Sequence, residues 1–378
     1  MRTGAVVGML LGMGGLLAGC GEPSSPLPPQ DSEEPSSSDA APPPADSGPP
    51  PSTSVSPSSG PSSASGSATA AITTTEGSAD SSGDSDTTDG GPPATETGVR
   101  FVGFGDTGEG NGAQMMVANA AELVCADRGC DFALLLGDNF YDVGVTSTMD
   151  TQFVDKFEAI YDGLDIPFYV VLGNHDYGTL ANDWARGNYQ IEYSAFSEKW
   201  VMPHFWYSFS SDSGGTQFFA FDTARMMWNH DVNDQRDWMT EQLAQSNAPW
   251  KVAFAHHPYL SNGSHGNAGT YEGIPGLPVI SGVQVQEFID DFVCGQAQIY
   301  ISGHDHNRQV FDPVCGTYFF VSGASAKTSD FEFRDDNPTQ WGDDTREGFL
   351  WIEIEDETMT AAFYDLDGNL DHEMTASL

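Results

Sequence analysis

The chain has 378 residues and carries 55 Asp or Glu against 13 Lys or Arg, a formal net charge of -42. With no Lys/Arg-rich run anywhere, nucleic-acid binding driven by counterion release is excluded as a main function, and any anionic substrate must be attracted by something other than side-chain cations. The length exceeds one average domain, yet apolar residues are so unevenly distributed that the first quarter is not built to fold.

The first segment reads as an export signal. Arg2 precedes an apolar stretch from Ala5 to Leu17, shorter than the about twenty residues needed to span a bilayer, and Leu17-Ala18-Gly19-Cys20 follows. That ending resembles a bacterial lipobox. The resemblance implies lipidation of Cys20 and an exported bacterial lipoprotein, periplasmic or at the cell surface, with its N-terminal anchor in the membrane; the competing reading is a plain signal peptide cut near the same place. Residues 1–20 are thus assigned to the signal and residues 21–98 to a disordered linker. The linker consists of Ser, Pro, Gly, Thr, Ala and Asp with scarcely any large apolar side chain, too few to offset the entropy of ordering it.

From Val99 to Leu378 the pattern is that of one βαβ domain: two packed mixed sheets with helices outside, an α/β sandwich of αββα type. Strand-like apolar runs are Arg100–Phe104, Phe132–Leu136, Phe168–Leu172, Lys251–Ala255 and Gln298–Ser302. Helical patterns at Ala113–Ala126, Met149–Tyr161, Asp234–Gln245 and Val283–Val293 separate them. Trp206–Phe209 with Gln217–Asp222, and Thr317–Val321 with Leu350–Ile354, are expected as antiparallel pairs added to the second sheet. With Cys20 assigned to the anchor, Cys125, Cys130, Cys294 and Cys315 form an even set in an exported chain. Pairing of neighbours, Cys125 with Cys130 and Cys294 with Cys315, is favoured over free thiols or thiolate metal ligands.

Six short blocks occur in the chain, Gly105-Asp106-Thr107-Gly108, Gly137-Asp138-Asn139-Phe140-Tyr141, Gly173-Asn174-His175-Asp176, Ala255-His256-His257-Pro258, Ser264-His265-Gly266 and Gly303-His304-Asp305-His306, and all but the Ser264 block stand just past strand ends. Open α/β sheets gather their ligands at the carboxyl ends of their strands. Any one of the first three blocks could be an ordinary turn. Together they bring enough carboxylate, amide, phenol and imidazole to hold two metal ions about 3.5–4 Å apart, a separation at which paired ions activate water and clamp a phosphoryl group.

The blocks resemble those of the purple acid phosphatases, particularly the small tartrate-resistant type, within the calcineurin-like metallophosphoesterase superfamily. The resemblance implies that Asp106, Tyr141 and His306 hold the first metal, that Asn174, His256 and His304 hold the second, and that Asp138 bridges them. His256 is chosen over His257 because the family's ligand stands two residues before the proline, here Pro258. His175 and His265 match the family's histidines that contact phosphate and protonate the leaving group. A phenol ordinarily ionises near pH 10, so Tyr141 as a ligand points to Fe(III) at the first site, with Fe(II), Zn or Mn at the second. With two carboxylates, a phenolate and a hydroxide, such a centre keeps about one positive charge for phosphate.

The function so implied is an exported acid phosphatase that hydrolyses phosphomonoesters by direct attack of metal-bound hydroxide; no Ser or Cys is recognisably paired with an activating base. A phosphodiesterase or nucleotide-specific hydrolase on the same site is the alternative, since entrance loops set the substrate. A non-catalytic phosphate-binding module is disfavoured because all seven ligand positions are filled. His204, His230 and His372 read as surface or packing residues, His257 as a neighbour of the site and Asp222 as structural. Trp200, Phe205, Trp206 and Tyr207 read mostly as core, with Trp206 or Tyr207 at the cleft rim. The loop Gly178–Lys199 and the segment Asn262–Gly276 are expected to border the entrance.

Overall fold

A computed structural model of the protein describes residues 98–276 and 279–378. The export signal, Cys20 and nearly all of the linker lie outside the described residues.

The first sheet begins with β1 (Val99–Phe104), β2 (Phe132–Leu136), β3 (Phe168–Val171) and β4 (Trp200–Val201), paired in parallel. Burial on both faces of a parallel sheet explains why these strands read as unbroken apolar runs. The second sheet is built from β5 (Tyr207–Ser210), β6 (Thr216–Ala220), β7 (Trp250–Phe254), β8 (Ile299–Ser302), β9 (Arg308–Phe311), β10 (Tyr318–Ser322) and β11 (Thr339–Asp343). The chain then returns to the first sheet with β12 (Gly348–Glu355), β13 (Thr358–Asp365) and β14 (Leu370–Ser377). Each sheet has seven strands, in the orders β14-β13-β12-β1-β2-β3-β4 and β11-β9-β10-β8-β7-β6-β5.

The sheets meet through aromatic side chains. Phe101 and Phe132 of the first sheet stand edge-on to Phe218 of the second, at 5.3 and 5.1 Å between ring centres. Helix α1 (Gly112–Arg128) covers the first sheet. It is capped by Asn111, whose side chain accepts from the Gln114 amide at 2.9 Å. α3 (Thr223–Met227), α4 (Val232–Gln245) and α5 (Val283–Phe292) belong to a second apolar cluster outside the other sheet, where Phe221 and Phe288 pack at 4.9 Å. Disulfides join Cys125 to Cys130 and Cys294 to Cys315.

Three expectations are corrected. Thr317–Val321 and Leu350–Ile354 do not pair: β10 lies between β8 and β9, whereas β12 lies between β1 and β13. Both are buried central strands, and a run apolar on both faces does not specify which edges it joins. The Met149–Tyr161 helix is replaced by turns around one wide π-turn, Val154–Glu158, in which the Ala159 amide donates to the Val154 carbonyl at 3.0 Å. Phe153, Phe157 and Tyr161 are all buried at four-residue spacing, which a wider turn aligns better than an α-helix does. Within the expected loop Gly178–Lys199 there is a ten-residue helix, α2 (Trp184–Tyr193); its buried positions Gly187, Gln190 and Tyr193 give too weak an apolar stripe to be read from sequence.

Candidate metal centre

The first sheet delivers oxygen donors and the second delivers imidazoles. Asp106 follows β1, Asp138 and Tyr141 follow β2, and Asn174 follows β3; His256 follows β7, and His304 and His306 follow β8. At the strand ends the chain turns sharply. Asp106, Asp138 and His304 all have left-handed backbones, with φ of 60°, 52° and 70°. Non-glycine residues held there cost of order 1 kcal/mol or more each and cluster at functional sites. The glycines beside them allow close approach: a Cβ on Gly303 would stand 2.6 Å from Asp106 Oδ2, and one on Gly173 would overlap the Asp138 carboxylate.

The donors converge in two adjoining groups. The Tyr141 hydroxyl is 2.9 Å from Asp106 Oδ1, 3.0 Å from Asp138 Oδ2 and 3.2 Å from His306 Nε2. One phenolic proton cannot satisfy these partners. His256 Nε2 is 3.0 Å from Asn174 Oδ1, 3.0 Å from His304 Nδ1 and 3.5 Å from Asp138 Oδ2. The Leu136 carbonyl, 2.9 Å from His256 Nδ1, fixes the proton on that nitrogen and leaves Nε2 as a lone pair facing the cluster. Asp106, Asp138 and His256 offer ligand atoms all within 4.8 Å of one another, and so do His256, His257 and His304. A cluster so rich in lone pairs and so short of protons fits cations at its centre, with Asp138 facing both groups.

Electrostatics point the same way. Burial pushes the Asp106 carboxyl upward, but the neighbouring His306, with His256 and Tyr141, holds it below its ordinary value. Burial and the Asp106 and Asp138 charges push the Tyr141 phenol well above its ordinary value, so only a strong cation would ionise it. Burial and the surrounding histidines push His304 well down, which leaves it neutral and able to coordinate.

His175 and His265 flank the cluster. The His175 amide donates to Asp138 Oδ1 at 2.9 Å, and its Nδ1 is 2.7 Å from the Asp142 carbonyl. His265 lies 4.2 Å from His304 between ring centres, with Nδ1 2.5 Å from Glu272 Oε1. His257 is buried against His304, and its Nδ1 faces Thr223 Oγ1 at 2.8 Å. Asp222 is buried, caps α3 and accepts from Tyr177 at 2.5 Å. The other three histidines lie apart from the cluster: His204 packs on Trp206, His230 on Trp184 and His372 on Trp341. Tyr207 does not reach the cleft rim, since its hydroxyl is buried against the Val170 carbonyl; Leu180, Met227 and Trp228 stand at the cleft instead.

Four supporting residues escaped the sequence reading. Asp176 accepts from the Gly173, Asn139 and Gln190 nitrogens at 2.8, 3.1 and 2.9 Å, which locks the Asn174 turn to the Asp138 turn. Asp305 accepts from the Ser261 hydroxyl and, at 3.2 Å, from the His265 amide. Both lie inside the quoted blocks, between or beside the converging donors, and that position was the available signal. Glu272 and Lys327 had none. Lys327 Nζ sits 3.4 Å above the centre of the Tyr141 ring and 2.6 Å from Glu109.

A two-sheet sandwich with such donors at the carboxyl ends of strands from both sheets defines a metal-dependent phosphoesterase. The chain belongs to the calcineurin-like phosphoesterase family, whose sequence profile matches residues 99–308. It is 28% identical over 311 residues to purple acid phosphatase 3 of Arabidopsis thaliana, covering 74% of this chain and 78% of that one. It is likewise 28% identical over 316 residues to tartrate-resistant acid phosphatase type 5 of Homo sapiens, covering 74% and 90%. The fold is also that of a purple acid phosphatase from yellow lupin (Lupinus luteus) seeds, with a TM-score of 0.57 at 18% identity over 76% of this chain and 55% of that one. The protein is therefore a phosphoester hydrolase built around a binuclear metal centre.

Proposed function

We propose that this protein is an exported, lipid-anchored acid phosphatase acting on phosphomonoesters. The observation that carries the reading is the meeting of Asp106, Tyr141 and His306 on one side of Asp138 with Asn174, His256 and His304 on the other. Asp106, Tyr141 and His306 would hold the first metal and Asn174, His256 and His304 the second, with Asp138 placed to serve both. The phenol of Tyr141, hard to ionise in its buried acidic setting, favours Fe(III) at the first site; the amide and imidazole donors suit Fe(II), Zn or Mn at the second. When bound, such ions lower the pKa of water and draw charge from the phosphoryl oxygens.

The chain's own groups do the rest. The Asp142 carbonyl keeps the His175 proton on Nδ1 and leaves Nε2 for a phosphate oxygen or its proton. Glu272 engages His265 Nδ1, so Nε2 is the atom available to protonate a departing alkoxide. Ser261, whose hydroxyl donates to Asp305, is fully buried and not open to substrate, and hydrolysis would proceed without a phosphoenzyme. Cys20 supplies the lipid anchor.

Hydrolysis of 4-nitrophenyl phosphate compared with bis-(4-nitrophenyl) phosphate tests the monoesterase assignment. Preference for the monoester is expected; faster turnover of the diester contradicts it. Mass spectrometry of the N-terminal peptide of membrane-extracted protein tests the anchor, which requires a diacylglyceryl adduct on Cys20.

A further inference from the structure

We infer that the metal cleft selects monoesters of neutral aromatic alcohols, and that Leu180, Trp228 and Ile280 form the wall that receives their rings. The inference rests on the phosphomonoesterase reading and narrows its substrate class.

The cleft measures about 490 Å³, within the range of small-molecule sites, and runs from His265 and His304 at the metal centre to an apolar wall. Leu180, Trp228 and Ile280 are 68, 36 and 40% exposed, and Met227 stands beside them. Folding does not account for leaving such side chains in water. They come from three separate segments, the loop after β3, the end of α3 and the stretch before α5, yet all face one cleft. Single exposed apolar residues are ordinary on protein surfaces; several brought together at a reactive centre form a binding surface.

The wall's place defines what it binds. His265, whose Nε2 is free for a leaving-group oxygen, lines the same cleft, so a group departing from phosphorus projects along the wall and not into bulk water. Among the described residues no Lys or Arg lines the cleft, and the one carboxylate there, Glu272, is held by His265. An additional anionic group on the leaving side, as in a nucleoside polyphosphate, finds no cation there and meets Glu272. A flat, uncharged ring instead gains apolar contact with Leu180 and Ile280 and stacking with Trp228.

The test compares phenyl phosphate with 2-naphthyl phosphate, whose leaving groups are of similar acidity, so that the chemical step contributes little to the difference. The second ring should raise kcat/KM of the wild-type protein about tenfold, through KM. Leu180→Ser and Trp228→Ala should each move this ratio toward one, while competitive inhibition by inorganic phosphate, which reads the metal centre, keeps its wild-type strength. Calorimetric binding of 2-naphthylphosphonate against methylphosphonate reads the wall without turnover. A protein that hydrolysed neither ester yet bound the naphthyl compound tenfold more tightly would sink the phosphatase reading and keep the wall. A wild-type ratio near one, or variants that weaken both compounds equally, overturns the wall.

Discussion

The two sheets contribute unlike chemistry to one centre. The first gives Asp106, Asp138, Tyr141 and Asn174, all oxygen donors; the second gives His256, His304 and His306, all nitrogen donors. Neither sheet alone presents a set that would hold two ions, and each group of donors draws on both. Metal binding therefore acts across the seam between the sheets, where it should join stability to activity.

Asp138 tests that idea hardest, because its carboxylate faces donors from both sheets. Asp138→Asn should lower kcat on the order of 10⁴-fold or more and release both ions; metal analysis showing both retained at wild-type affinity contradicts the bridging role. His175→Ala and His265→Ala lie outside the donor set and should lower kcat by about 10²–10⁴-fold with iron content unchanged. Their losses should shrink for 4-nitrophenyl phosphate, whose leaving group needs no proton, relative to alkyl phosphates. A variant that emerges without metal has been given the wrong role.

Stripping the ions with a chelator should cost about 3 kcal/mol of unfolding free energy for each ion released, relative to protein held at a hundredfold excess of metal over Kd. Thermal unfolding followed with and without metal reads this directly, and an unchanged midpoint would mean that the seam does not depend on the ions.

Asp222, on the second sheet and away from the donors, provides the contrast. Burial raises its pKa from 3.8 to about 6, against the opposing bonds from Tyr177 and Arg225. The folded state thus binds this proton more tightly than the unfolded chain does. Ionisation of Asp222 costs stability above about pH 6, and the cost disappears as pH falls toward 4, to the extent of about 3 kcal/mol at most. Asp222→Asn should therefore stand best against wild type at pH 7 and lose ground between pH 6 and 4; a difference independent of pH refutes this sign. The smallest effect is expected at Lys327, whose ammonium over the Tyr141 ring lowers the energy of a phenolate there. Lys327→Met should shift a Tyr141-to-iron band to longer wavelength and alter kcat only a few-fold.

The same contrast explains what was legible in the sequence. β1, β2, β3, β7 and β8 end at the clustered donors and are largely buried on both faces, so continuous apolar runs and the blocks after them marked strand and donor together. The edges were opaque. β13 and β14 pair by register along an antiparallel ribbon, and β12 joins β1 from more than two hundred residues away, neither of which a local pattern encodes. Glu272 and Lys327 act through contacts made only in three dimensions, on loops whose sequences are otherwise ordinary.

The central claim is that Tyr141 and its neighbours across the seam hold iron. Visible absorption of purified Val99–Leu378, recorded with its metal content, tests this most directly. The account predicts a violet or pink protein with iron in the first site, and a band bleached by Tyr141→Phe. A colourless, active protein containing only divalent metal, or a band that survives Tyr141→Phe, would contradict it.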